Sequence, residues 1–140
     1  MAQTFSAEMN GLLNAVPVTV PSGALVGGRV RRYRATITLT AQAIADTIVL
    51  AKVPAGKVFA FGILNATASL STSTVAIGTA AAAGKYRAAA VFTATDTPTL
   101  FGVNAAMVAL SDEETVILTV AALALPAAGT LIVDLYFSGV

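Results

Sequence analysis

From Tyr33 to Thr40 the chain alternates without interruption: Tyr33, Ala35, Ile37 and Leu39 stand against Arg34, Thr36, Thr38 and Thr40. A period of two belongs to a half-buried β-strand, because successive side chains leave a strand on opposite faces. Similar short runs follow at regular spacing. Asp46 to Val53 is rich in Ile and Val. Pro54-Ala55-Gly56-Lys57 then forms a turn, and the next strand places Phe59, Phe61 and Ile63 on one face, which predicts a hairpin. Further strands are expected at Thr74–Gly78, Ala89–Thr95, Thr99–Val103, Thr115–Val120 and Thr130–Phe137. A turn around Leu125-Pro126-Ala127-Ala128-Gly129 joins the last two. Ala-rich Thr79–Ala83 is long enough for a single helical turn before Gly84 and no more. Many short strands with Gly/Pro turns, and no long amphipathic helix, predict an all-β fold: an antiparallel β-sandwich or jelly-roll-like barrel.

The first residues break this pattern. Residues 1–28 hold a single charge, Glu8, together with Pro17, Pro21 and glycines at 11, 23, 27 and 28. Phe5, Met9 and Leu12 fall at helical spacing, which predicts a short helix. Two prolines forbid a central strand between Val16 and Gly28, so that stretch is expected to be an extended N-terminal arm. The domain organisation expected is therefore an arm over residues 1–28 and one β domain over residues 29–140. The first 20 residues lack Lys and Arg, and Glu8 lies where a signal peptide would start its apolar run, so no export signal is expected. Two uncharged stretches, 58–84 and 115–133, are interrupted by polar residues or by Pro126 and Gly129. They fit strands and turns, and no membrane partner is expected.

Charge sets the next constraint. The 140 residues include 8 basic and 7 acidic ones, a net charge of +1, while 56% are hydrophobic and 11% charged. A compact monomer of this mass exposes about 6,700 Å². That gives about one charge per 450 Å², against about one per 190 Å² at ordinary usage. Such a surface is adhesive, and a homo-oligomer, taken as a trimer, is expected to cover part of it. The chain has no His and no Cys. Ser-His-Asp and Cys-His catalysis, disulfides and Cys/His zinc sites are thereby excluded, and no enzyme activity, metal or cofactor is expected.

Half of the basic residues lie in Arg29-Val30-Arg31-Arg32-Tyr33-Arg34. Residues 1–70 carry six bases and two acids, and residues 71–140 carry two bases and five acids. Phosphate binding with Tyr33 as a stacking platform would use such a cluster, but the small basic surplus argues against a nucleic-acid partner. Two readings remain: a solvated strand face, or arginines paired with acidic groups of a neighbouring subunit, a role that suits the planar guanidinium. The interface residues expected are Arg29, Arg31, Arg32 and Arg34 from the cluster, with Phe5, Met9, Leu12 and Leu13 from the arm.

Other constellations are weaker. Ser111-Asp112-Glu113-Glu114 lacks the spacing of an EF-hand and reads as a solvated turn. Asp46, Asp96 and Asp134 would have to meet in space to form a glycosidase pair. Gly78 to Tyr86 has a spacer one residue too long for a P-loop, with Tyr86 in place of the magnesium-binding hydroxyl. Asn65-Ala66-Thr67 matches a glycosylation acceptor without an export signal, and Phe59 and Phe61 read as core.

Three segments, Val53-Pro54-Ala55-Gly56-Lys57-Val58, Ser73-Thr74-Val75-Ala76-Ile77-Gly78-Thr79 and Leu125-Pro126-Ala127-Ala128-Gly129-Thr130-Leu131, resemble small structural proteins of tailed bacteriophages. In particular, the chain looks in style like the capsid decoration, or cement, proteins. These are β-rich trimers on the outside of the mature head. The resemblance implies a virion structural protein on the capsid exterior, assembled in the host cytoplasm, with the major capsid protein as partner. It would stabilise the assembled head by bridging capsid subunits. A tail or fibre subunit and a carbohydrate-binding β-sandwich are the alternatives.

Overall fold

The computed structural model describes residues 2–139. Eight strands follow one short helix. They are β1 (Arg29–Thr38), β2 (Thr47–Val53), β3 (Val58–Ala66), β4 (Thr74–Gly78), β5 (Arg87–Val91), β6 (Thr99–Phe101), β7 (Glu114–Ala121) and β8 (Thr130–Gly139). One 3-10 turn, Asn104–Ala106, lies between β6 and β7. One sheet has the order β1-β8-β3-β6 and the other β2-β7-β4-β5. All neighbours are antiparallel. Four of these pairs, β1 with β8, β2 with β7, β3 with β6 and β4 with β5, nest around the β4–β5 connection like a long ribbon folded at its middle. Pairing of β8 with β3 and of β7 with β4 rolls the ribbon up. This is an eight-stranded jelly roll, within the expected all-β class.

Alternation explains the core. Ile37 and Leu39 are buried while Thr36, Thr38 and Thr40 are exposed, as the period of two requires. β8 turns Leu131, Val133, Leu135 and Phe137 inward, and β7 turns Val116, Leu118 and Val120 inward, all fully buried. An aromatic cluster sits between the sheets: Phe59 lies 4.7 Å from Tyr86 and 5.4 Å from Phe137 by ring centroid. Such tilted and edge-on contacts contribute about 0.5–1.5 kcal/mol each beyond the area they bury.

Three expectations need correction. The predicted hairpin does not form, because β2 and β3 belong to opposite sheets. Pro54–Lys57 is a crossing between layers, pinned by hydrogen bonds from the Gly56 amide to the Leu110 carbonyl and from the Leu110 amide to the Lys57 carbonyl. Phe59, Phe61 and Ile63 do not share a face. The register of β3 against β8 slips between Phe59 and Phe61, so Ala60 is an extra residue that reverses the alternation. Phe59 therefore points into the core, whereas Phe61 lies outside and stacks on Tyr136 at 4.5 Å. Residues 79–83 form a bend rather than a helical turn, closed by the Thr79 amide on the Ala82 carbonyl.

The N-terminal segment lies outside both sheets. Helix α1 spans Ala7–Leu13, where the spacing of Phe5, Met9 and Leu12 predicts it. Ser6 caps it by accepting the Met9 amide, and Glu8 stands in its first turn, where the helix dipole favours a negative charge. None of its residues is buried. Residues 14–28 contain no strand, and the segment doubles back, with the Thr19 amide donating to the Gly11 carbonyl at 2.8 Å. It is tied to the sandwich at Ala24, which is buried and whose carbonyl accepts the Ser138 hydroxyl at 2.7 Å. Among the described residues, no helix is long and apolar enough to cross a membrane.

Gly78 ends β4 beneath the 79–83 bend. A Cβ there would lie 2.1 Å from the Ala82 carbonyl oxygen and 2.6 Å from that of Ala83. Both obstacles are backbone, so Gly78→Ala is expected to destabilise the fold by about 1–3 kcal/mol. Urea unfolding of the variant against the parent protein measures the loss.

Candidate interaction surfaces

β1 carries the whole arginine cluster on a sheet edge. Its register against β8 is continuous, so Val30, Arg32 and Arg34 face outward while Arg29 and Arg31 share the side of Tyr33. Tyr33 packs edge-on against Phe137 at 5.8 Å and belongs to the core rather than to a stacking platform. Arg34 is directly opposite Asp134, and both carboxylate oxygens accept from its guanidinium at 2.8 Å. This bidentate pair raises the guanidinium pKa through the hydrogen bond first and the charge second. Arg34 thus spends its fork within the chain. Arg29, Arg31 and Arg32 are exposed and have no carboxylate within ion-pairing distance among the described residues.

The acidic run is also divided. Glu114 opens β7, where one carboxylate oxygen accepts from Lys85 and the other from the buried Tyr86 hydroxyl. Glu113 stands 4.0 Å from Lys52, with both side chains largely exposed, and Asp112 accepts from Ser111. Lys85 and Tyr86, which mimic the end of a P-loop in sequence, are therefore the partners of a carboxylate. The strand β5 follows them where a P-loop would need a helix. Burial first, then the hydrogen bond to Glu114, pushes the Tyr86 phenol pKa well above its usual value. Among the described residues, no three His, Cys, Asp or Glu side chains cluster in a way that would hold a metal ion. Asp46 accepts the Ala43 amide and Asp134 is held by Arg34, so two of the three aspartates considered for glycoside chemistry have structural work.

Two surface features stand out. Residues 5–30 supply nine of the seventeen large hydrophobic residues exposed among the described ones; Val16 is 97% exposed and Leu13 65%. Of the four arm residues named from sequence, Phe5, Leu12 and Leu13 are exposed and Met9 is half-buried. The accessible surface is 7706 Å², about 1,000 Å² more than a compact monomer of this mass exposes. The second feature is a hollow of about 230 Å³ on the outer face of the β1-β8-β3-β6 sheet, lined by Arg34, Asp134, Asn65, Tyr136 and aliphatic neighbours. Sequence reasoning missed it. Its one visible signal is a lone charge, Asp134, inside the apolar run Leu131-Ile132-Val133-Asp134-Leu135.

The fold is similar to that of a chain in the cyanophage Pam1 capsid asymmetric unit, with a TM-score of 0.67, 18% identity and coverage of 81% of this chain and 86% of that one. A chain in the capsid of Ralstonia phage GP4 gives 0.64 at 22% identity, covering 81% and 86%. One in the acidic stable capsid structure of Helicobacter pylori bacteriophage KHP30 gives 0.60 at 10% identity, covering 78% and 86%. At these identities the likeness is one of fold. No protein-family model matches the chain, and no curated protein is similar enough to count as a relative.

The Tyr86 shift predicts a pH dependence. The unfolded phenol ionises near its ordinary pKa of about 10, while the folded one stays protonated. This contribution is complete below pH ~10 and declines above it, at up to about 1.4 kcal/mol per pH unit. Tyr86→Phe removes that share of the alkaline decline. Urea unfolding from pH 9 to 11 on both proteins measures it.

Proposed function

We propose that this chain is a structural subunit of a bacteriophage virion: a decoration protein that binds the outside of the assembled head and stabilises it by bridging subunits of the major capsid protein. The observation that carries the reading is the apolar segment 2–28. It lies outside both sheets and contributes eight of the seventeen exposed large hydrophobic side chains among the described residues, on a chain whose surface is larger than a compact monomer's. A surface of this kind is stable in water when something covers it. The jelly roll shared with chains in three phage capsid structures supplies the context.

In this reading the head assembles in the host cytoplasm, and the protein adds to it as a homotrimer. Phe5, Met9, Leu12 and Leu13 fill grooves on the shell. Pro17 and Pro21 reduce the chain entropy lost when the segment is immobilised. Arg29, Arg31 and Arg32 face acidic groups of a neighbouring subunit, while Arg34 keeps its internal partner. Many small contacts suit such a role, because each bridge adds to the cost of separating subunits.

Deleting residues 2–20 tests it. Particles offered the truncated protein are expected to remain undecorated and to lose their heat resistance, while the β domain keeps its circular dichroism. Full decoration by the truncated protein, with unchanged heat resistance, would overturn the assignment of the segment as the strap.

A further inference from the structure

Asp134 occupies an unusual place for a carboxylate. It lies on the outer face of β8, an interior strand, yet is only 5% exposed, because Ile63, Ile132 and Tyr136 surround it and Arg34 spans it. Arg34 occupies one lone pair on each carboxylate oxygen and leaves the others free. Asn65 also lines the hollow, and its side-chain carbonyl oxygen is buried without a hydrogen-bond donor. An unpaired buried acceptor is costly, so the residues of the hollow hold an unmet demand for hydrogen-bond donors.

We propose that this hollow binds one pyranose ring of a glycan. Charge and shape together select the ligand. Arg34 and Asp134 cancel, so a cation meets the guanidinium, an anion meets the carboxylate, and a purely apolar group leaves Asp134 and Asn65 unsatisfied. A neutral ring bearing several hydroxyls serves all of them. Its hydroxyls donate to Asp134 and, after rotation of the amide about χ2, to Asn65. They accept from the half-exposed Arg34, and the C–H face lies on Tyr136, whose ring is held in place by Phe61 at 4.5 Å. A volume of about 230 Å³ is below the ~300 Å³ lower end of ordinary ligand pockets, which suits a single ring rather than an oligosaccharide. Binding at one such site is weak, and display of many copies on one surface multiplies it by avidity. The site does not depend on the virion role, since the free protein carries it whole.

The test is an NMR titration of the free, full-length protein with glucose, galactose, mannose, rhamnose and N-acetylglucosamine into the tens-of-millimolar range. Saturable shifts are expected for at least one sugar, confined to Arg34, Ile63, Asn65, Ile132, Asp134 and Tyr136. Asn65→Val removes the unpaired carbonyl, so it is expected to leave the unfolding midpoint unchanged or raised while weakening sugar binding at least about tenfold. Asp134→Asn is expected to weaken binding as well. The absence of saturable shifts with every sugar, shifts mapping elsewhere, or undiminished binding by the folded Asn65→Val variant would overturn the proposal. None of these results bears on attachment to a capsid.

Discussion

β8 is paired along both edges, with β1 on one side and β3 on the other, and its inward residues Leu131, Val133, Leu135 and Phe137 are all fully buried. Burial of each such side chain contributes about 1.5–3 kcal/mol relative to exposure, so this strand alone anchors a large part of the core. Its position also fixes the rest of the roll. The last strand must return to the first, which forces the ribbon to wrap and brings residues about a hundred positions apart into register. Asp134 reaches Arg34 for this reason, and the outer hollow lies where β1, β8 and β3 run side by side.

The same wrapping accounts for the distribution of charge. The first half of the chain is basic and the second acidic. A jelly roll pairs early strands with late ones, so β1 meets β8 and β2 meets β7. Arg34 then finds Asp134, and Lys52 approaches Glu113. The exposed Lys52–Glu113 pair adds little, since surface ion pairs contribute about 0–1 kcal/mol. What the internal pairing leaves over is more informative: three arginines on an open edge, and an apolar segment beside the sandwich. In the proposed reading both meet another molecule.

The period of two made the inner faces of β1, β7 and β8 legible, because each keeps its alternation over many residues. β4 spans Thr74–Gly78, the bounds expected from the sequence. Reading failed where a single residue reset the phase. Ala60 is an ordinary strand residue in sequence, and only its pairing with β8 shows that it bulges and turns Phe61 outward. The false hairpin has a related cause. Pro-Ala-Gly-Lys signals a change of direction, but whether the next strand lies alongside or crosses to the other sheet depends on where the apolar faces find cover. The arginine cluster was legible as a group. The partner that removes Arg34 from it was not, nor was the meeting of Asn65 and Tyr136 around Asp134, because both depend on β8 register. Phe5, Met9 and Leu12 stood out by their helical spacing, and α1 forms over Ala7–Leu13.

In the proposed reading this jelly roll sits on the outside of a phage head and is held there by its N-terminal segment. Cryo-electron microscopy of the particle that contains the chain tests it most directly. The account predicts jelly-roll density above the shell, spanning neighbouring capsid subunits, with residues 2–28 lying in grooves of the shell and Arg29, Arg31 and Arg32 against acidic side chains. Density inside the shell or in the tail, or a segment 2–28 that touches only its own sandwich, would contradict it.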